Sequence, residues 1–307
     1  MRGFIGLTKR NLLLFFKDKQ SVVFSLLTSI IVLALYLLFL KGTYVDSVNS
    51  VFEMHEGISN LISQDEINTF VNMVLLTGIL GSAMITVPYN CLMNLVKDKE
   101  NKIDYDILAT PITRWRIILS YFVSAALSSV ILTGVILTAG LLATGIQGKL
   151  CLSVSDILAA YGVAAIGSVS ATAIFMILVL SFKSSGASSA FFGILSAASG
   201  FVIGAYIPIS QFSDGVQTIC NIFPASQVTI ILRNILMSGV LSKMNDSIGG
   251  VDDGMTVDAI SEIFTFRAHV FGYDFGVNAM LIYVLAAIAI CIAVQTVLYS
   301  VTYKRKS

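Results

Sequence analysis

Long apolar segments separated by short polar ones run along the whole chain. Each apolar segment is about 20 residues or longer, which is enough for a helix to cross the hydrocarbon of a bilayer. A soluble protein of this length would show amphipathic periodicity in place of such runs. The pattern therefore predicts an all-α, polytopic membrane protein in which residues 1–307 form a single transmembrane domain. The six predicted transmembrane helices cover residues 21–40, 70–96, 115–144, 157–182, 188–209 and 277–303.

Residues 1–19 precede the first span and carry their basic residues on one side of a helix. At about 100° per residue, the basic arc holds Arg2, Lys9, Arg10 and Lys17. The opposite arc is mostly apolar and holds Phe4, Leu7, Leu12, Leu14 and Phe15. We predict an N-terminal interfacial helix whose basic face meets anionic lipid. The alternative is an ordinary positively charged flank of the first span.

Three polar segments interrupt the pattern of spans further along. Residues 41–70 predict one or two small extramembrane helices, and residues 97–113 predict a short amphipathic helix between the second and third spans. Residues 210–276 form a long external segment containing an apolar stretch that is broken by Pro224 and carries Arg233. These two residues favour a re-entrant or interfacial helical segment before the last span over a seventh crossing.

Composition and charge agree with this interpretation and give it an orientation. The chain is 56% hydrophobic and 12% charged, with a mean hydropathy of +0.87, whereas a soluble protein has about 25% charged residues. With the N-terminus inside, fourteen of the 19 lysines and arginines lie in inner segments and five in outer ones. Because basic residues are enriched in cytoplasmic loops, both termini and residues 97–113 are predicted to be cytoplasmic.

The predicted spans contain no side chain that an ion-coupled or hydrolytic site would need. Apart from Arg116 at the very start of the third span, no Asp, Glu, Lys, Arg or His lies within them. Proton relays require intramembrane ionisable groups, and a hydrolase needs a base beside its nucleophile. The sequence therefore argues against a proton-driven antiporter and against an intramembrane hydrolase. His55 and His269 are far apart in external segments, where surface histidines are the simplest interpretation.

No cofactor or metal site is indicated either. The closest approach to a phosphate-binding loop, Gly145–Leu150, lacks the first glycine, ends in leucine and lies in an outer segment. The four cysteines show no C-x-x-C spacing, so neither a metal site nor a redox pair is expected. Cys151 and Cys220 are both external, and two unrelated thiols are favoured there over a disulfide. We predict that this chain has no catalytic residues and binds no cofactor.

Uncharged polar and small residues follow a helical spacing in two of the spans. In the second span they recur every four residues, which places them on one face: Gly78, Ser82, Thr86, Asn90 and Asn94. Helix packing and a solvent- or substrate-lined path explain this stripe equally well. In the fifth span Gly200 and Gly204, followed by Tyr206, show a small-x-x-x-small spacing that favours packing. The candidate pathway-lining residues are Ser82, Thr86, Asn90, Asn94, Gly200, Gly204 and Tyr206.

The densest charge in the chain lies in Lys97–Arg116, between the second and third spans. Thr110 precedes Pro111, a position biased away from the helical region. This predicts an elbow in which Thr110 caps the next helix and Pro111 occupies its first turn. A short polar helix of this kind either only connects two spans or is a docking site for another protein, and we favour the docking site.

The residues of this segment resemble a known family. The sequence D-K-E-N-K-(x)5-L-A-T-P-I-T-R-W-R is similar to the coupling helix E-x-x-x-G-T-x-x-x-L-x-x-T-P of ABC type-2 exporter permeases. The start, L-T-K-R-N-L-L-L-F-F-K-D-K, resembles the interfacial helix of that family, and a segment F-P-A-S-Q…L-R before the last span is also similar. Lys102 and Ile103 stand where many members have Gly-Thr, so only Glu100 and the Leu108–Pro111 end match directly.

The resemblance implies a membrane-spanning permease subunit of an ATP-driven exporter. Two six-span subunits, forming a homodimer or a heterodimer with another permease, would work with a cytosolic ABC ATPase that binds the ATP and Mg. The second and fifth spans would line the path at the dimer interface, and the segment before the last span would gate the outer side. The ATPase-coupling residues would be Glu100 and Pro111 from the motif, together with Asp104, Tyr105 and Asp106 from the geometry of the same segment.

Cargo and location follow from the same resemblance. The absence of charge along the spans favours an amphipathic or hydrophobic cargo, such as a drug, an antimicrobial peptide or a lipid-like molecule. Membrane lipid is an expected partner and nucleic acid is not. We expect a multi-pass protein of the cell (plasma) membrane, from a bacterium.

Two other functions stay open at this point. One is a non-transporting membrane immunity or sensor protein that binds an antimicrobial and needs no ATPase. The other is an ATP-independent carrier or channel, which the absent intramembrane charges disfavour. An ATPase encoded next to this chain would distinguish the permease from both.

Overall fold

The computed structural model describes residues 2–53, 62–147, 150–249 and 254–302, and these residues are almost entirely helical. The helices are α1 (Arg2–Lys17), α2 (Lys19–Leu35), α3 (Lys41–Glu53), α4 (Gln64–Glu100), α5 (Ile103–Ala109), α6 (Arg114–Gln147), α7 (Val154–Val179), α8 (Ser185–Val202), α9 (Asp214–Ile222), α10 (Pro224–Ile248), α11 (Met255–Ile263) and α12 (Val277–Thr302). Between α11 and α12, strands β1 (Ala268–Val270) and β2 (Tyr273–Phe275) form an antiparallel hairpin. The predicted all-α polytopic membrane architecture is confirmed.

Within the described residues, seven helices are long and apolar enough to cross a membrane by length and composition. They are Lys19–Phe52, Gln64–Glu100, Arg114–Ile146, Val154–Val179, Ser185–Val202, Pro224–Ile248 and Val277–Val301. Six of them contain or overlap the predicted spans, and the additional one is α10. Because length and composition do not fix which helices cross, the count of six spans stays a prediction. The basic residues at positions 304–306 and the end of the last predicted span lie outside the described residues.

The pair α9–α10 begins and ends at one end of the bundle, which we call the α11 end. Ser210, just before α9, donates a hydrogen bond through its hydroxyl to the Ile263 carbonyl at the end of α11 (2.7 Å). At the other end of the pair, Lys243 lies 3.3 Å from Glu66 in the first turn of α4. The chain thus enters and leaves through the same end, which agrees with a re-entrant helix pair.

The first long helix continues further than its hydrophobicity predicts. A π-helical turn at Tyr36–Leu40 joins α2 to α3, so the helix runs past position 40 to Glu53. The polar residues of α3 lie on one side, whereas Tyr44, Val48 and Phe52 are buried on the other. This four-residue spacing produces an amphipathic helix packed on the bundle. The rest of the predicted extramembrane helix, including Glu56 and His55, lies outside the described residues.

Helix α4 is the centre of the bundle. It packs against α2, α6, α7, α8 and α10, and 83% of its apolar window is buried. By contrast, only 11% of the window of α12 is buried, so α12 lies at the periphery. The polar residues of α4 therefore point mostly into protein. The end of α4 opposite the α11 end carries α5 and contacts α1, and we call it the α5 end.

Candidate functional site

The short helix α5 is separated from α4 by two residues, of which Lys102 is left-handed. Lys102 has φ of 60°, which ends α4 after Glu100 and allows α5 to begin at Ile103. The segment predicted as one helix over 97–113 is therefore the last turn of α4, a sharp turn, and α5. Such a φ is unfavourable for a residue with a side chain, whereas glycine adopts it readily.

The elbow after α5 differs from its prediction in one detail. Thr110 closes α5 and does not open the next helix: its hydroxyl donates to the Ile107 carbonyl (2.6 Å) and its backbone is extended. Helix α6 begins at Arg114, and the Thr113 carbonyl accepts from the Arg116 N–H (2.9 Å). The reason is local, because a residue before proline avoids the helical region. Pro111 consequently lies in the link and not in the first turn of α6.

Three helices meet at the carboxylate of Asp98. The Arg10 guanidinium of α1 donates to both carboxylate oxygens, with Nη1–Oδ2 at 2.8 Å and Nη2–Oδ1 at 3.0 Å. The hydroxyl of Tyr121, from α6, donates to Oδ2. The Asp98 side chain is only 6% exposed. Bidentate, charge-assisted bonds of this kind fix orientation as well as distance, so Asp98 joins α1, α4 and α6.

Arg10 does not face lipid as the basic arc predicted, because Asp98 provides a buried partner. Its hydrogen bond with Asp98 raises the pKa of the guanidinium despite partial burial. Leu7, Asn11 and Phe15 are buried along the same side of α1. Lys9 and Lys17 are exposed and remain available to lipid headgroups.

A second ion pair fixes the junction between α1 and α2. Asp18 accepts from the Ser21 N–H (3.1 Å) and hydroxyl, which caps α2, and it lies 3.0 Å from Lys97 at the end of α4. The hydrogen bonds from Ser21 and the charge of Lys97 lower the pKa of Asp18 to about 2. The start of the first span is thereby tied to the end of the second predicted span.

Consecutive residues at the end of α4 hold the turn between α7 and α8. The Lys99 ammonium donates to the Leu180 carbonyl, which caps the end of α7 (2.7 Å). The Glu100 carboxylate accepts from the N–H of Ser185, the first residue of α8 (3.2 Å). A cation at a helix C-terminus and an anion at an N-terminus both match the helix dipole. The end of α4 is therefore linked to α7 and α8 just before α5 begins.

The five predicted coupling residues divide into two that are engaged or half-buried within the chain and three that are exposed. Glu100 is exposed but bonded to α8, and Asp104 is half-buried, with no described residue serving as a hydrogen-bond partner to its Oδ1. Burial raises the pKa of Asp104. Tyr105 is 65% exposed, and Asp106 and Pro111 are exposed beside it. Only the last three offer a free surface to another molecule.

The stripe on α4 is largely enclosed within one copy of the chain. Ser82 and Thr86 are fully buried, and the Thr86 hydroxyl donates to the Ser82 carbonyl of its own helix (3.0 Å). Asn90 and Asn94 are half-buried, and the Asn94 amide donates to the Asn11 carbonyl of α1 (3.4 Å). The arrangement agrees with helix packing at Ser82 and Thr86. A transport path along the stripe stays a prediction.

Gly200 and Gly204, two of the candidate pathway-lining residues, form the C-terminal cap of α8. Gly204 adopts φ of +67°, and the N–H groups of Ala205 and Tyr206 both donate to the Gly200 carbonyl, at 2.8 and 3.2 Å. This is a glycine C-cap of the Schellman type. The Tyr206 ring covers Gly200 so closely that a Cβ there would lie 2.3 Å from it. Both glycines thus serve the termination of α8.

Sequence reasoning missed two charged residues that the structure makes central. Asp98 continues the four-residue spacing of the stripe after Asn94, and that spacing was the available signal. Arg233 in α10 served only as an argument against a seventh span, yet it is 1% exposed and both of its terminal nitrogens donate to backbone carbonyls. A lone arginine in an apolar helix is itself a signal, because a buried charge persists only with partners.

No metal site or disulfide appears in the described part of the chain. It contains no group of three or more His, Cys, Asp or Glu side chains placed to hold a metal ion. No disulfide joins any of the four cysteines, all of which the structure describes, so Cys151 and Cys220 do not bridge.

Two comparisons with known proteins bear on this geometry. No curated protein sequence matches the chain. A family model described as "ABC-2 family transporter protein" matches residues 53–301, which include α4, α5 and every later helix.

Proposed function

The chain belongs to the ABC-2 family of transporter proteins, and we propose that its α5 end receives a cytosolic ABC ATPase whose movements drive export. The chain is a membrane-spanning permease subunit of an ABC transporter. ATP and Mg are assigned to the ATPase, because this sequence has no complete phosphate-binding loop. The α5 end is then cytoplasmic, as are both termini, and the membrane is the plasma membrane of a bacterial cell.

The observation that supports this proposal is the connection of α5 to the rest of the bundle. Its outer surface presents Tyr105, Asp106 and Pro111. Immediately before it, Asp98 joins α1 and α6, and Lys99 with Glu100 holds the α7–α8 turn. A short helix transmits a displacement only when its base is fixed to the elements that must move. Here one turn of α4 connects α5 to four other helices.

Transport of an amphipathic or hydrophobic substrate by a dimer completes the proposal. Between Glu66 in its first turn and Asp98 near its end, the buried polar residues of α4 are uncharged, which favours cargo without a high charge. Large apolar side chains are exposed on α2 and α8, among them Ile30, Ile31, Ile194 and Phe201. These helices touch through the hydroxyls of Thr28 and Ser196, and we infer that their exposed faces meet a second permease subunit. A drug, an antimicrobial peptide and a lipid-like molecule are the substrate classes to test.

The test is assembly with a cytosolic ABC ATPase, for which one encoded next to the chain is the first candidate. We expect the double variant Tyr105→Ala, Asp106→Ala to lose co-purification of the ATPase, because it removes the most exposed side chains of α5. The matched control is Tyr273→Ala, Asp274→Ala, the same dipeptide exposed at the α11 end. Equal ATPase recovery and equal export in both double variants would overturn the assignment of α5 as the docking helix.

A further inference from the structure

Arg233 is a buried cation whose two terminal nitrogens donate to backbone carbonyls, while its Nε has no hydrogen-bond partner among the described residues. Its side chain is 1% exposed inside α10, and no carboxylate of the described residues lies within salt-bridge distance. Nη1 donates to the Phe264 carbonyl (2.8 Å), and Nη2 donates to the carbonyls of Gly204 (2.8 Å) and Ile203 (3.2 Å). Burying a charge without partners is costly, so these three contacts are the reason that Arg233 is tolerated at this position.

The three carbonyls belong to the ends of two helices. Ile203 caps α8, Gly204 follows it, and Phe264 caps α11. The last carbonyls of a helix have no partner within the helix and carry the negative end of its dipole. One guanidinium therefore satisfies and neutralises the C-terminal ends of both helices. It also fixes the two ends to each other and to α10.

A second buried donor binds the chain directly after α8. The Tyr44 hydroxyl of α3 donates to the carbonyl of Ala205 (3.2 Å), the residue that follows Gly204. Three consecutive carbonyls after α8 are thus held from two different helices. On the other side, Ala205 packs so closely on Gly78 of α4 that a Cβ at that glycine would lie 3.0 Å from the Ala205 Cβ.

We propose that Arg233 is a positioning residue of the transport cycle, which locks the α11 end of α8 to α10 and α11 so that the three move as one unit. The proposal rests on the proposed transport function. Helix α8 is held at its other end by Glu100 at Ser185, and its 18 residues span about 27 Å. Because α8 is held at both ends, it transmits a displacement of the α5 end to the α11 end.

Arginine suits this task better than lysine. Its planar guanidinium presents five donors in a fixed arrangement, whereas lysine is a compact point charge that cannot span two separated helix ends in one plane. Arg233→Lys is therefore expected to retain part of the lock. Arg233→Met removes the charge and all donors while keeping a long apolar side chain.

The experiment measures hydrogen exchange of the full-length permease in lipid nanodiscs, without the ATPase. The reporters are the amides of Ala205 and Tyr206, which bond to the Gly200 carbonyl. We expect exchange about tenfold faster or more in Arg233→Met, because local opening determines amide exchange, and an intermediate rate in Arg233→Lys. The control is Asn234→Leu, because the Asn234 amide bonds to the Phe266 carbonyl (2.9 Å) and not to α8. Unchanged exchange in Arg233→Met, or equal acceleration in Asn234→Leu, would overturn the proposal.

A smaller change keeps the test decisive if Arg233→Met does not fold. Tyr44→Phe removes only the hydroxyl that holds Ala205 and leaves the ring packed against Phe264. Faster exchange at Ala205 and Tyr206 in this variant supports the lock, and unchanged exchange in both Tyr44→Phe and Arg233→Lys contradicts it.

Measurements of transport distinguish a failure of the Arg233 lock from a failure of the proposed transport function. In the complex with the ATPase, Arg233→Met is expected to retain ATP hydrolysis while export falls, and Asn234→Leu to retain both. Export that persists in Arg233→Met, alongside wild-type exchange, overturns the lock alone. Accelerated exchange in Arg233→Met together with no export by the wild-type complex leaves the lock in place and overturns the transport function.

Discussion

Glu100 and Ser185 are joined by a hydrogen bond of 3.2 Å between the glutamate carboxylate and the first backbone N–H of α8. Glu100 is one of the predicted coupling residues, and a contact with the ATPase was the expected role. In the structure its carboxylate is directed to the next helix pair of its own chain. Glu100 thus links α5 to α8, and Tyr105 and Asp106 provide the exposed surface.

Replacing Glu100 is therefore expected to separate assembly from transport. In Glu100→Ala the ATPase still co-purifies, because the exposed surface of α5 is intact, but export falls because α8 is no longer held. The loss of stability stays small, since a carboxylate at an exposed helix N-terminus contributes about 0.3–1 kcal/mol. ATPase recovery and export measured on the same preparation check this. Glu100→Gln keeps an acceptor oxygen, so its export is expected to lie between that of the wild type and that of Glu100→Ala.

The combination Glu100→Ala with Asp106→Ala tests the segment as a whole. We expect ATP-driven export to be lost while the permease remains in the membrane at its normal level. Membrane fractionation and export assays provide the two readouts. Normal export by this double variant would contradict a coupling role for Lys97–Arg116.

The junction at Asp98 is expected to be the most sensitive site of the α5 end. Asp98→Asn leaves Arg10 without its anion and weakens the bond from Tyr121. Hydrogen bonds to charged groups contribute about 1.5–3 kcal/mol each, so a loss of about 2–3 kcal/mol in the free energy of unfolding is expected. A double-mutant cycle with Arg10→Gln measures the coupling. The Lys97–Asp18 pair is the control, because both side chains are more exposed and such pairs contribute about 1 kcal/mol or less.

The sequence was sufficient to predict the helices but not the contacts between them. Apolar runs predicted the spans because every backbone group in lipid must be satisfied within a helix. The pairing of Arg10 with Asp98 joins residues 88 positions apart, and no local pattern distinguishes it from a lipid-facing arginine. Similarly, Pro111 predicted a break correctly, but the cap moved to Thr113 because Thr110 is used to close α5.

The pH dependence of stability is expected to come in part from Asp104. Burial raises the pKa of its carboxyl group, so the folded state holds this proton more tightly than the unfolded state. Between the unfolded pKa of about 3.9 and the raised folded pKa, stability falls as pH rises. Asp104→Asn removes this dependence, so the variant is expected to match the wild type at low pH and to be more stable at neutral pH. Thermal unfolding at several pH values measures the difference, and a variant that is less stable at neutral pH would contradict it.

Single-cysteine labelling can decide between packing and a path along α4. Ser82 and Thr86 are fully buried within one copy of the chain, whereas Asn90 is half-buried. A residue that only packs stays protected during turnover, because opening a packed helix interface exposes apolar surface to water. In a background with the four native cysteines replaced, we therefore expect Asn90→Cys to react with a polar thiol reagent and Ser82→Cys and Thr86→Cys to stay unreactive, with and without ATP hydrolysis by the complex. ATP-dependent labelling at Ser82 and Thr86 would instead place the transport path along the whole stripe, and the enclosed geometry of the resting chain would then be only one state of the cycle.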